Sequence, residues 1–406
     1  MNRLARISVV TLSVIVFLYV GLGYVLGKET DDKTYRSLSV FGEVLQHVQE
    51  DYVDEPDMNL VTAGALHGML ESLDPNSAYL SAREYADYRD RMKVSQRAEA
   101  GMTVSKRYGY IVIVSVVPGG PADKATLRSG EILEAIGEFS TRDMSTEQAS
   151  MLLQGVPGSA VKVGVVRRGK TEPAEISITR DLIGVEHIVS DRAGDDVAYI
   201  RLPALEPNDV SELRDKLVQL GKQGTHKLVL DLRDCTRGEI SEGIAAAQLF
   251  VSSGTVASME GQTVPRKEFS AASDKVVWNS PVEVLTSPST LGAAEVLAGA
   301  IKGNKRGEIV GERTFGSASE QKLIALDDGG AVILTVALYA TPDGKAIGDD
   351  GVAPTVEVHP KPIDPSVNPE AVEPAPLGPG QMPAADDPIY NKALELLNGG
   401  EARKAA

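Results

Sequence analysis

The one cysteine of the chain, Cys235, lies in Asp234-Cys235-Thr236-Arg237-Gly238, directly after the apolar run Leu228-Val229-Leu230-Asp231-Leu232. A thiol in such a loop is a nucleophile only as thiolate, and that needs a base beside it. None of the five histidines is placed to serve. His47 and His67 fall in early helical runs, His187 and His226 flank strands, and His359 precedes a proline-rich stretch. They also lack metal-ligand spacing, and a single cysteine excludes a disulfide framework or a Cys-rich zinc site. Cys235 therefore reads as structural, and neither metal nor cofactor is expected. The 57 acidic residues show no catalytic pairing and read as solvated surface.

Those acids stand against 41 Lys and Arg, for a formal net charge of -16. A nucleic-acid binder needs clustered basic residues in surplus, so that class is excluded. With 42% hydrophobic residues the chain can build cores, and with 5% aromatic these must be mainly aliphatic. Its 406 residues exceed one ordinary domain, so two or three units are expected.

Residues 1–27 read as a signal anchor. Arg3 and Arg6 precede the uncharged stretch 7–27, which is long enough to span a bilayer of roughly 30 Å. Its end, Tyr24-Val25-Leu26, is a poor cleavage site, and the basic N-terminal side places that end in the cytoplasm. The expectation is a single-pass inner-membrane protein of bacterial type, with everything after Lys28 on the extracytoplasmic, periplasmic side.

Residues 28–92 are helical by pattern. Leu38, Phe41, Leu45 and Val48, then Val61, Ala65, Leu66 and Met69, fall at helical spacing around a break at Asp54-Glu55-Pro56-Asp57. Leu73-Asp74-Pro75-Asn76-Ser77-Ala78-Tyr79-Leu80 reads as a turn and a helix start. Residues 93–180 form a β-rich unit, with runs such as Ile111-Val112-Ile113-Val114, tight turns at Pro118-Gly119-Gly120-Pro121 and one helix from Ser145 to Leu153. From 181 to 360 strands and helices alternate, which predicts an α/β unit with its site at the strand ends. Residues 361–406 are a Pro-rich linker and a short helix from Pro388 to about Leu397, ended by Asn398-Gly399-Gly400.

Gly120-Pro121-Ala122 followed by Leu127-Arg128-Ser129-Gly130-Glu131-Ile132-Leu133 and Gly137 resembles a PDZ domain of the bacterial protease type. Such domains take a peptide as an added strand and hold its terminal carboxylate on backbone N–H groups. By position that loop is Ala100, Gly101 and Met102, with Thr103 and Val104 on the adjoining strand. Adding the 74–80 segment, Leu230-Asp231-Leu232-Arg233, Glu295-Val296-Leu297-Ala298-Gly299-Ala300 and Thr341-Pro342-Asp343-Gly344, the chain resembles the C-terminal-processing, or tail-specific, serine peptidases from about residue 40 to 360. The resemblance implies an α/β fold with a crotonase/Clp-like peptidase core, a PDZ domain that receives protein C-termini, and a Ser-Lys dyad.

The pattern departs from that family at its chemistry. The nucleophile position, three residues before the Glu of the Glu-x-x-Ala-Gly helix, is Gly292. The lysine position, after Phe315-Gly316, is Ser317, and of that group the accompanying glutamine alone is retained, as Gln321. The family's Asn-Asn-Pro-Gly-Gly oxyanion loop is here Asp234-Cys235-Thr236-Arg237-Gly238, so Arg237 replaces the first glycine and Gly238 keeps the second. The expectation is a pseudopeptidase that binds protein C-termini or a partner, such as an active relative, as adaptor or regulator. It could self-associate through its early helices. The alternative is an active serine-type endopeptidase with a relocated nucleophile, the candidates near the family positions being Ser287, Ser289, three residues from Gly292, and Ser317, with Lys322 next to Gln321 as the amine; such a dyad needs a separation of about 2.6–3.2 Å.

Overall fold

The computed structural model describes residues 36, 38–93, 98–142, 144–184, 188–192, 196–348, 350–360, 377–378 and 381–404. Two compact units divide after Ala65. In the first, residues 38–51 are helical, with Phe41 and Val44 exposed. A second helix, Met58–Glu71, follows the expected break. The stretch 7–27 lies outside the described residues; among those, no helix is long and apolar enough to cross a membrane.

In the second unit, residues 73–80 differ from the expected helix start. Asp74 makes the turn by accepting from the N–H groups of Asn76 and Ser77, each at 2.8 Å. The next three residues, Ala78–Leu80, are a buried strand paired antiparallel with 331–333. The helix comes one step later, at Ala82–Met92, where Ser81 and Glu84 form a capping box. A run of three apolar residues is too short to reveal its period, and the pairing strand lies about 250 residues away.

The β-rich unit forms as its alternation predicts. Met102–Arg107, Tyr110–Val116, Ile132–Ile136, Ala160–Val166 and Ala174–Thr179 make an antiparallel sheet in that order. In Ala160–Val166 the valines at 161, 163 and 165 are buried while Lys162 is exposed, which is the period of two of a half-buried strand. The helix Thr146–Leu153 starts at Ser145, which caps it together with Gln148.

The α/β unit has a six-stranded sheet in the order Val189–Arg192, Val197–Arg201, Lys227–Asp231, Val282–Thr286, Ile309–Gly311, Val356–Glu357. All neighbours are parallel except the first pair. Alternate residues serve opposite faces. Ala198, Ile200, Leu228, Leu230 and Val284 join the core that includes Leu213, Leu217, Ala247 and Leu297, from the helices Pro207–Lys222, Ile240–Ala247 and Ala293–Gly303. Val197, Tyr199, Val229, Leu285 and Val310 meet Ile389, Tyr390, Ala393 and Leu397 of the C-terminal helix. A second sheet carries Ala78–Leu80, Thr255–Glu260, Lys267–Ser270, Ser319–Ala325 and Ala331–Ala340.

The C-terminal helix thus covers one face of the main sheet. It runs over Pro388–Lys404, through Asn398-Gly399-Gly400 rather than stopping there. Two helical glycines cost about 1 kcal/mol each, a modest penalty beside the packing of the buried face from Ile389 to Leu397. Asp387 accepts from the N–H groups of Ile389 and Tyr390 and so caps its start.

Glu283, on the Val282–Thr286 strand, is an acid in a buried place. It accepts from the N–H of Glu308 at 2.9 Å, but burial, reinforced by the Glu308 charge, pushes its carboxyl up from 4.5 to about 7. The unfolded chain therefore releases this proton first. Folding stability should fall as pH rises from about 4.5 through about 7 and then level off, by at most roughly 3 kcal/mol from this group. Urea titrations at pH 5 and pH 8 should show that loss, and Glu283→Gln should flatten it; an unchanged slope in the variant contradicts the assignment.

Candidate active site

The helix Ala293–Gly303 begins with a sharp turn. Gly292 precedes it at φ 60°, ψ -110°, a region that side-chain-bearing residues rarely occupy. Space is not the constraint, since a Cβ there would meet nothing nearer than Ile240 Cδ1 at 4.0 Å. Glu295 is the third residue of the helix and is fully buried. Its Oε2 accepts from the N–H of Gly292 at 2.9 Å and the N–H of Ser317 at 2.7 Å. Its Oε1 accepts from the N–H of Gly316 at 2.7 Å and from the Thr314 hydroxyl. Burial raises its carboxyl, and these four donors oppose that by stabilising the anion. One carboxylate thereby fixes the positions of both Gly292 and Ser317. Sequence reasoning used Glu295 as a landmark but missed this role; its place as third helical residue, where a side chain reaches back to the preceding N–H, was the available signal.

Three loops meet here. Leu291 N–H donates to Cys235 O at 3.0 Å, Phe315 N–H to Thr290 O at 3.0 Å, and Thr290 Oγ1 to Leu232 O at 2.9 Å. Cys235 is buried, in keeping with a structural thiol. Arg237 and Gly238 pair in parallel with Ala204–Leu205. Gly238 sits at φ 127°, and a Cβ on it would lie 2.2 Å from Leu205 O, so this ladder requires glycine there. Below the loop, buried Asp231 accepts from Tyr199 Oη at 2.9 Å and from Nη2 of Arg233 at 2.6 Å, and Arg233 Nη1 also donates to Asp387 at 2.7 Å. Burial pushes the Asp231 carboxyl up, but the Arg233 charge and hydrogen bonds prevail and hold it below its usual value. The neighbouring Asp234, at φ 62° and 3.7 Å from Arg201, is instead raised by burial.

Of the serines named as substitutes, Ser287 and Ser289 have hydroxyls that are otherwise engaged. Ser289 is buried, and its Oγ donates to Val114 O at 2.5 Å, while Ser287 Oγ accepts from the N–H of Ser289 at 3.2 Å. Gln321 and Lys322 are successive exposed residues of the Ser319–Ala325 strand and so point to opposite faces. Among the described residues no hydrogen bond joins Lys322 to Ser287, Ser289 or Ser317.

Val114 belongs to the PDZ sheet, and further contacts tie that sheet to the same loops. Thr236 Oγ1 lies 2.9 Å from Thr103 Oγ1 and 2.9 Å from Ser115 Oγ, and the Arg107 guanidinium stands 4.9 Å from the Phe315 ring centre. Of the expected peptide-binding residues, Ala100 and Val104 are buried in the PDZ core. Gly101, at φ 74°, has its carbonyl held by the N–H of Val117 at 2.9 Å, and a Cβ there would lie 2.8 Å from Pro121 Cδ. Met102 packs on the PDZ core, and Thr103 is the residue that reaches Thr236. Removing the Ser289 and Thr236 hydroxyls together, by Ser289→Ala and Thr236→Val, should cost about 2–3 kcal/mol. Urea unfolding is the measurement, and a loss below about 0.5 kcal/mol would mean that these bonds do not hold the domains together.

A PDZ domain seated on the loop face of an α/β unit, around a buried helix entered through a strained turn, defines a peptidase-type scaffold. The sequence pattern of Peptidase family S41 matches residues 196–358, and that of the PDZ domain matches residues 112–167. The carboxy-terminal-processing protease of Bartonella bacilliformis is 32% identical over 337 residues, covering 81% of this chain and 76% of that protein. The carboxy-terminal processing protease of Bacillus subtilis is 28% identical, covering 86% and 75%. Among solved structures, a photosystem II D1 C-terminal processing protease superimposes with a TM-score of 0.67 at 28% identity, covering 81% of this chain and 95% of that one. The chain belongs to peptidase family S41, alongside the carboxy-terminal-processing proteases.

Proposed function

We propose that this S41 member is a pseudopeptidase, which binds protein carboxyl termini through its PDZ domain and uses the α/β domain as a scaffold. The observation that carries the reading is the Glu295 bracket. Gly292 and Ser317, the positions that by resemblance correspond to nucleophile and lysine, are held by the same carboxylate, and neither supplies the group that the chemistry needs. The retained Gln321 has no amine to orient. The names of the Bartonella and Bacillus relatives, carboxy-terminal processing proteases both, support tails as the class of ligand. In this reading the stretch 7–27 anchors the chain in an inner membrane, with its bulk on the periplasmic side. Its partners there are tails of envelope proteins or an active relative.

The test is equilibrium binding of the full chain to fluorescent peptides with apolar carboxyl ends, in the free-acid and amidated forms. A free acid that binds at least tenfold more tightly than its amide supports capture of the terminal carboxylate. Equal affinity for both forms sinks it.

A further inference from the structure

The Ser319–Ala325 strand pairs antiparallel with Ala331–Ala340 along one edge, and among the described residues it pairs with no other strand. Every residue from Glu320 to Ala325 is exposed, including Leu323 at 42% and Ile324 at 36%. An open, uninterrupted edge of this length with exposed aliphatics is what native sheets usually cover, because its free N–H and C=O groups template a further strand. It has no proline and no bulged residue on its own side, since the ladder irregularity near Glu320 and Gln321 skips Val336 on the partner strand; of the common devices that blunt an edge it carries only charge, at Glu320 and Lys322.

The charges on this edge choose the occupant. Glu320 and Lys322 are two apart, so they share a face, and they flank Gln321. Suppose two copies of the strand meet antiparallel. Centred on Gln321, Glu320 of each copy stands opposite Lys322 of the other, and Leu323 opposite Ser319. Centred on Lys322 or on Glu320, like charges stand opposite each other instead, which is destabilising. The edge is therefore self-complementary in one register and self-repelling in its neighbours. Lys322 makes no ion pair within the chain among the described residues, while Glu320 accepts the Tyr339 hydroxyl at 3.0 Å and keeps its other oxygen for a cation.

We propose that this edge joins a second copy of the chain, continuing the sheet across a two-fold axis that passes through Gln321. The inference rests on the proposed function in one respect, that Gln321 has no catalytic part and so is free to lie in a contact. In such a pairing the two Gln321 Cα atoms lie about 4.5–5.5 Å apart whichever hydrogen-bonding phase the strands adopt. That is within the span of a disulfide.

The experiment uses the full chain in mild detergent, with sedimentation and oxidative cross-linking as readouts. Gln321→Cys should give a covalent dimer under mild oxidation, whereas the wild type, with its one buried cysteine, should not. Glu320→Lys alone and Lys322→Glu alone should each weaken the dimer about tenfold, because two attractive pairs become repulsive. The double variant Glu320→Lys/Lys322→Glu should recover it, and that recovery also excludes misfolding as the cause. A monomeric wild type overturns the proposal. So does a dimer indifferent to both single reversals, which would have to form elsewhere, or a monomer whose 320–325 amides become protected on addition of an extended peptide.

Discussion

Incubated with unfolded proteins that end in apolar tails, the full chain should leave them uncut, and Ser289→Ala should change nothing in that result. Loss of a serine nucleophile or its base alone costs about a millionfold in turnover, and losing both together costs about the same, because they act as one unit. What the proposed reading leaves is a scaffold and part of an oxyanion loop, whose Arg237–Gly238 backbone pairs with Ala204–Leu205. The structural argument against rescue is specific. Ser289 is buried with its hydroxyl donating to Val114 O, so attack on a substrate would require breaking the PDZ contact and finding a base that Lys322, exposed on the second sheet, does not provide. Gly292→Ser alone should not restore cutting either. It has room for the side chain, but φ 60° with ψ -110° should cost about 1–3 kcal/mol, and Ser317 still offers no amine. Gel and mass-spectrometric assay of the products is the check, and cleavage that disappears in Ser289→Ala would establish the relocated nucleophile instead.

The α/β and PDZ elements were legible because burial writes a period into the sequence. Val161, Val163 and Val165 alternate with polar or small residues, and Leu213, Leu217 and Leu220 recur along one helical face. Gly292, Ser317 and Arg237 are assigned to family positions in a different way: they are defined by offsets from motifs, and an offset survives without coordinates. Contacts between distant segments left no such trace. Thr236 meets Thr103 across 133 positions, and Ser289 meets Val114 across 175. Hydroxyl residues in loops are ordinary, and nothing local marks which of them will face another domain. By sequence the C-terminal helix is a short segment behind a linker, although Ile389, Tyr390, Ala393 and Leu397 share the spacing of an amphipathic face. Its role became clear with the partner surface, the face of the main sheet opposite the other three helices.

Glu295→Ala should be the most damaging single substitution in the α/β domain, costing at least about 4 kcal/mol. Truncation removes the acceptor for four donors at once, the N–H groups of Gly292, Gly316 and Ser317 and the Thr314 hydroxyl, from a carboxylate that is itself fully buried. An orphaned buried donor costs about 1–3 kcal/mol, and a side-chain-sized cavity is added to that. Some relief is available, since Thr314 Oγ1 can turn and also accepts from the N–H of Val352 at 2.7 Å, so the sum falls short of four full penalties. The diagnostic comparison is Glu295→Gln, which keeps the volume and one carbonyl oxygen but turns an NH2 group toward two donors. If the four-donor bracket is what stabilises this turn, Gln should lose about 2–3 kcal/mol despite its matched shape. Were Glu295 a space-filling residue, Gln would be nearly neutral and Ala alone would suffer. Urea unfolding followed by near-ultraviolet dichroism separates the two cases. A neutral Gln variant would also remove the reason for regarding Gly292 and Ser317 as one coupled site.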